Sequence, residues 1–192
     1  MPIELAIPHA ALHESWLDAR DEWGGAGSHQ PGSGIWLADA AGLCLDHAGD
    51  FARWVEALNR MPFASTADGA IPATTWWILR NDRYLGSIQL RHILNDDLAE
   101  LGGHIGYGIR PTERRKHIAS RALREVLDYA SAQLGLQQVL VTCDDSNIAS
   151  QRTALAAGGT LRKIRAPDAY ARERGRHEPI HHYWLPTATR SV

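Results

Sequence analysis

Apolar residues recur at intervals of three and four in two early segments of the chain. In "HAALHESWLDARDEW", residues 9–23, Leu12, Trp16, Ala19 and Trp23 hold helical spacing behind Pro8, which predicts a first helix after a short strand-like start. In "DFARWVEALNRM", residues 50–61, Phe51, Trp54, Val55 and Leu58 share one side of a second helix, with Asp50 as the expected N-cap. Between them "GGAGSHQPGSG", residues 24–34, is too rich in Gly, Ser and Pro to bury a face, so a mobile loop is expected.

From residue 72 the period shortens. "PATTWWILR", "RYLGSIQLRHI" and "GGHIGYGIR" are rich in β-branched and aromatic residues and are separated by "ND" and "LNDDLAELGG", which predicts three antiparallel strands in a meander. "HIASRALREVLDYASAQLG", residues 117–135, places Ile118, Ala122, Leu123, Val126, Leu127, Ala130 and Leu134 on one helical face and stops at Gly135. The apolar run "QQVLVTCD" predicts a strand buried on both faces beside a parallel neighbour, so 103–110, 117–134 and 137–143 read as one right-handed βαβ unit. A helix in "NIASQRTALAAGG" and strands at "TLRKIRA" and "PIHHYWL" complete the chain.

Composition changes this picture little. The 192 residues suit one domain, and 44% hydrophobic with 22% charged residues is an ordinary globular balance. A net charge of -2 argues against a nucleic-acid-binding module. Cys44 and Cys143 form no C-x-x-C, so neither a disulfide framework nor a zinc site is expected, and a cytoplasmic setting follows. No leader pattern opens the chain and no apolar run nears the roughly 20 residues a membrane span needs, so no membrane partner is expected.

Against that near-neutral background, "GYGIRPTERRKHIAS", residues 106–120, concentrates Arg110, Arg114, Arg115 and Lys116 where a strand passes into the best-defined helix. Unpaired N–H groups and the helix dipole already favour an anion there, so the junction reads as a phosphate cradle. It is neither a Walker loop nor a Rossmann turn.

The stretch 105–119 resembles motif A of the GNAT superfamily of acyl-CoA N-acyltransferases, in which a strand ending V-x-P leads to R-G-x-G-x-G/A. Ile109, Pro111, Arg114, Lys116, Ile118 and Ala119 fall on that pattern, and Asn147, Ser150 and Gly158 fall on motif B. "PATTWW", "LRHILND", "GGHIGYGIRPTERR" and "VTCDDSNIAS" are similar to a subgroup of predicted acetyltransferases, over roughly residues 72–161.

The resemblance implies a GNAT-like α/β fold: a mixed, mostly antiparallel central sheet with a parallel βαβ pair splayed at the cofactor site and helices on both faces. It implies one domain over 1–192, with a helical acceptor-side region at 1–70, an acetyl-CoA-binding core at 72–161 and C-terminal strands at 162–192. Acetyl-CoA would be the co-substrate and no metal would be needed. Gly108, Ile109 and Arg110 would pair with the pantetheine arm like an added strand. Backbone N–H groups of Arg115, Lys116, His117, Ile118, Ala119 and Ser120 would hold the pyrophosphate, with Arg114 adding charge and Asn147 and Ser150 contributing from motif B.

Two departures stand out. The family glycines at 115 and 117 are Arg115 and His117, and the motif B tyrosine that protonates the departing thiolate in many relatives aligns with Ala154. For the base, the position where relatives carry Glu aligns with His104, with His92 as competitor; Tyr107 is a candidate acid. Cys143 ends its strand near the expected thioester and reads as a small buried hydrophobe, with a covalent acetyl-Cys as the alternative. Asp144 and Asp145 are expected to cap the next helix or face the acceptor amine. His181 and His182 alternate on a strand, one facing the core or the acceptor pocket and the other solvent, so they do not share a metal.

The sequence thus reads as an acyltransferase moving an acetyl group from acetyl-CoA to a primary amine of a small-molecule acceptor. The competing reading is a catalytically inactive acyl-CoA-binding regulatory domain. The acceptor is not written in the sequence, nor is the oligomeric state, and a homodimer stays open.

Overall fold

A computed structural model describes residues 2–187. The chain divides into two compact units, 1–92 with 106–122 and 93–105 with 123–192. The last residues of the expected C-terminal region, 188–192, lie outside the described residues.

The first unit is built on a four-stranded sheet of β1 (Glu4–Ala6), β2 (Ala73–Arg80), β3 (Arg83–Arg91) and β4 (Ile105–Ile109), in that spatial order. β1 and β3 both run antiparallel to β2. The "ND" between β2 and β3 turns the chain through left-handed Asn81 and Asp82, φ 52° and 55°, the conformation a two-residue hairpin with native twist requires.

Helices α1 (His13–Glu22), α2 (Trp36–Ala40) and α3 (Ala48–Arg60) complete this unit. Their apolar stripes meet the sheet in an aromatic cluster: Trp16 lies 5.3 Å from both Phe51 and Trp54, and Trp77 meets Tyr84 edge-on at 5.3 Å. Such pairs add roughly 0.5–1.5 kcal/mol each beyond area burial. The Ser15 hydroxyl accepts the Tyr84 N–H at 2.9 Å and fixes α1 on β3.

Two early expectations change, and the short α2 is an addition to them. α3 starts at Ala48 with His47 as its N-cap; Asp50 sits in the first turn, where its carboxylate accepts the Cys44 N–H at 3.0 Å and closes the preceding turn. α2 has five residues, too few to show a period. The Gly-rich loop is packed in its second half, with Gln30 and Ser33 buried. The Ser33 hydroxyl donates to Gln30 O at 2.7 Å, and Trp54 Nε1 donates to Gly34 O at 3.1 Å. Gly32, at φ +76°, lies so close to β4 that a Cβ would stand 2.2 Å from Gly106 O. Backbone-to-backbone approach, which needs no apolar side chain, is what buries this loop.

The second unit carries a three-stranded sheet in the order β5-β7-β6, formed by β5 (Gln138–Asp144), β7 (Ile180–Pro186) and β6 (Thr160–Arg165), with β7 antiparallel to both neighbours. Helix α4 (Ile118–Leu134) begins in the first unit and continues into the second. Six of its seven expected core positions are buried and Leu134 is half-buried. α5 (Ile148–Ala156) and α6 (Ala169–Glu173) follow.

Val139, Leu140 and Val141 are buried as the apolar run requires, but the ladder partner of β5 is antiparallel β7. β4 belongs to the other sheet, and Gly103 meets Val141 through one isolated antiparallel bridge. Among the described residues no helix is long and apolar enough to cross a membrane.

Candidate active site

The basic junction divides its four cations among different partners. Arg110 is 3% exposed; its N–H is donated to Leu85 O at 2.8 Å, its Nε to Glu22 at 2.9 Å and its Nη1 to Tyr84 O at 3.0 Å. Arg110 is therefore an internal brace, and the expectation that it binds cofactor is corrected: β3 and Glu22 use its donors. Glu22 also accepts the Thr112 N–H and hydroxyl, at 3.1 and 2.8 Å. Arg110 and Thr112 together hold the Glu22 carboxyl down to about 2.

That brace yields a prediction. Glu22→Gln should cost about 3 kcal/mol, since it leaves a buried guanidinium without its counter-charge. The folded Glu22 pKa lies below its ordinary value, so its stabilisation is complete above pH about 4.5 and is lost as pH falls toward about 2. Urea unfolding across that window should show an acid-dependent slope in the wild type that is reduced in the variant.

Beyond Arg110, the turn Pro111–Glu113 brings Glu113 inward. Burial opposes its charge, but Lys116 at 3.2 Å and Arg80 at 3.1 Å outweigh it and hold the carboxyl below the usual range. Arg114 lays its guanidinium over Trp23, 4.6 Å from the ring centroid, and donates Nε to Ile109 O at 3.0 Å. Arg115 is exposed and, among the described residues, has no ion-pair partner.

The backbone here is the most informative feature. Arg115 and His117 have φ of +62° and +58°, and they flank Lys116, which is not left-handed. The His117 carbonyl accepts the Arg121 N–H at 3.2 Å and so opens α4. Left-handed residues in the turn before a helix can aim N–H groups at an anion, and the first helical N–H groups add their own unpaired donors. Arg115 and His117 thus adopt a conformation that is cheap only for glycine. The geometry the motif demands is kept, without the residue type that makes it easy.

The strain is measurable. His117→Gly should raise stability by up to about 1 kcal/mol, a midpoint shift of roughly 2–4 °C, because relief of the left-handed backbone outweighs the added freedom of the unfolded chain. His117→Ala keeps the strain and should show no gain in the same thermal scan.

The two candidate bases differ. His104, in the second unit, is buried; its Nδ1 accepts the Leu140 N–H at 2.9 Å while its own N–H is donated to Leu140 O at 2.7 Å. A neutral imidazole has one lone pair, and here a backbone amide holds it. This corrects the expectation that His104 is the base: its ring bridges residue 104 to β5. His92, in the first unit, is half-buried with Nε2 2.9 Å from the Thr74 hydroxyl. Burial lowers its pKa, so it is neutral at pH 7 and keeps a lone pair. Tyr107 is half-buried on β4, beside the close approach of Gly32.

In the second unit Asn147 caps α5 by accepting the Ser150 N–H at 3.1 Å. Asp144 and Asp145 do not cap that helix: Asp144 pairs with Arg176 at 2.8 Å and Asp145 with His181 Nε2 at 2.8 Å. Both His181 and His182 are buried, which corrects the expectation that one faces solvent; His182 Nε2 meets Glu100 O at 2.9 Å. Burial, partly offset by a hydrogen bond with Ser150, pushes the Cys143 thiol up to about 11. It stays protonated, which disfavours a covalent acetyl-Cys. No group of three metal-ligating side chains gathers among the described residues.

Residues 37–160 match the sequence profile of the Acetyltransferase (GNAT) domain, and the chain belongs to the GNAT acetyltransferase family. No curated protein matches it by sequence. Among solved structures it is similar to the microcin C7 self-immunity acetyltransferase MccE, in complex with acetyl-CoA and AMP, with TM-score 0.64 at 16% identity over 96% of this chain and 92% of that one. It is also similar to RimL, a ribosomal L7/L12 α-N-protein acetyltransferase in complex with coenzyme A, with TM-score 0.63 at 13% identity over 97% and 96% of the two chains. A chimera of the spermidine N-acetyltransferase SpeG from Vibrio cholerae and hSSAT gives TM-score 0.63 at 12% identity, over 97% and 96%. At these identities the likeness is one of fold.

Proposed function

We propose that this protein is an N-acetyltransferase that moves the acetyl group of acetyl-CoA to a primary amine of a small-molecule acceptor. The observation that carries the reading is the left-handed backbone at Arg115 and His117, at the start of α4 in a chain of this family. In the proposed arrangement the loop 114–117 and the first turn of α4 take the cofactor phosphates, with the Ile118, Ala119 and Ser120 amides as donors. Gly108 and Ile109 line the pantetheine arm.

His92 is the proposed base. Its lowered pKa leaves the ring neutral at neutral pH with only the Thr74 hydroxyl on Nε2, whereas Nδ1 of His104 is held by a backbone amide. Tyr107, half-buried on β4, is the proposed acid. The relatives named above differ in acceptor, with spermidine in one name and a protein α-amine in another. The test is therefore a screen of polyamines, amino acids, aminonucleosides and peptide α-amines, following release of free CoA by the purified chain. Turnover with a small amine supports the reading. Saturable acetyl-CoA binding without CoA release from any amine would replace it with the regulatory, acyl-CoA-binding alternative.

A further inference from the structure

Two further arginines of the first unit reach the basic junction from another part of the sheet. Arg80 and Arg83 pair across the base of the β2–β3 hairpin, and β3 runs beside the junction, where the Arg110 N–H is donated to Leu85 O at 2.8 Å. The Glu113 carboxylate, with its side chain 9% exposed, is the meeting point. Its Oε2 lies 3.1 Å from Arg80 Nη1 and 3.2 Å from Lys116 Nζ, and its Oε1 lies 3.4 Å from Arg83 Nη1. Arg83 Nη2 stands 3.9 Å from Glu22 Oε1, which Arg110 already holds.

Four cations, Arg80, Arg83, Arg110 and Lys116, thus share the two carboxylates of Glu22 and Glu113. Asp82, at the tip of the hairpin, forms an ion pair with none of them among the described residues. Arg110 suffices to neutralise Glu22, and Arg80, the less exposed of its partners, would suffice for Glu113. The positive charge in excess rests on Arg83 and Lys116, whose side chains are 49% and 50% exposed. Two like charges gathered on one carboxylate repel each other, and a dianion set across them relieves that repulsion. The arginine fork keeps donors beyond the one facing Glu113, in the planar arrangement that suits phosphate oxygens.

We propose that Arg83 and Lys116 form a subsite for a phosphate monoester dianion, which in acetyl-CoA is the phosphate on the ribose 3′-hydroxyl; this rests on the cofactor placement in the reading given above. Lys116 belongs to the loop 114–117 proposed for the pyrophosphate, and in CoA the 3′-phosphate stands one ribose ring away from the pyrophosphate. A cofactor anchored at that loop brings the dianion to the loop's rim, and the rim on the hairpin side carries the two half-exposed cations. Glu113 and Arg80 are positioning residues: the carboxylate holds Arg83 and Lys116 together, and Arg80 keeps it charged. Such a subsite makes the chain selective for thioesters of CoA itself over thioesters on the same pantetheine arm without this phosphate.

Calorimetry on the full chain compares acetyl-CoA with acetyl-dephospho-CoA, which lacks only the 3′-phosphate, in wild type and in Arg83→Gln. Wild type should bind acetyl-CoA about tenfold more tightly, a preference that shrinks as salt rises. In Arg83→Gln the preference should fall below about threefold, with the Kd for acetyl-dephospho-CoA within about twofold of wild type. Arg80 and Lys116 still neutralise Glu113 in that variant, so a general loss of structure is not the expected cause. A wild-type preference below about twofold overturns the proposal, and so does a preference that Arg83→Gln leaves intact. If Arg83→Gln does not fold, the same ratio in Lys116→Gln decides, and an intact preference there overturns it. Failure of the acetyltransferase reading looks different: the amine screen then yields no free CoA whichever ligand the subsite prefers. If neither ligand binds wild type, the cofactor placement and the subsite fall together.

Discussion

His92→Ala lowers kcat/KM for the best acceptor by about 100-fold and leaves the acetyl-CoA Kd within about twofold. The size follows from general-base catalysis, and the selectivity follows from position, because His92 directly follows β3 while the proposed phosphate loop is at 114–117. Burial lowers the His92 pKa, so the acid limb of the wild-type kcat/KM profile falls below pH 6.5, the ordinary histidine value, and flattens in the variant. His104→Ala is the contrasting case. It leaves the Leu140 N–H without its acceptor and should cost roughly 1–3 kcal/mol of stability, with the acid limb unchanged. If His104→Ala removes the acid limb and His92→Ala does not, the assignment is reversed.

Arg115→Glu raises the Kd for acetyl-CoA by about tenfold or more, equivalent to roughly 1.4 kcal/mol. Among the four cations of the junction, Arg110 is bound to Glu22, Lys116 to Glu113, and Arg114 lies on Trp23, so Arg115 is the one whose charge reversal disturbs no partner. The site is exposed, so the effect should shrink as salt rises and the screening length drops below about 10 Å. Arg115→Gly separates side chain from backbone: it removes the charge but suits the left-handed conformation, and should hold Kd within about threefold. Calorimetry that finds Arg115→Glu equal to wild type at low salt would remove the cradle from residues 114–120.

Much of the junction was legible without coordinates. A cluster of Arg and Lys between a strand and a strongly periodic helix is a local pattern, and local patterns survive in sequence. What each cation does was not legible, since Glu22 lies 88 positions from Arg110 and nothing local couples them. The same holds for the imidazoles. His92 and His104 look equivalent as letters, and they differ because the backbone of Leu140, from another strand, takes the lone pair of one of them. The pairing of His181 with Asp145 was not legible either, since 36 positions separate them along the chain.

The sequence by itself determined the elements whose periodicity is long or whose turn chemistry is specific. These are the buried face of α4, the aromatic stripes of α1 and α3, the "ND" hairpin, and the order of strand, basic loop and helix that carries the family resemblance. Each is set by interactions within a few residues, where spacing and residue type are enough. The tertiary structure decided the rest. It paired β5 with antiparallel β7, packed the Gly-rich loop onto β4, turned Arg110 into a brace, and held Arg115 and His117 in a backbone conformation that their side chains disfavour. Hydrogen bonds and close backbone contacts between distant segments carry no sequence period, so they become visible only when the chain has folded.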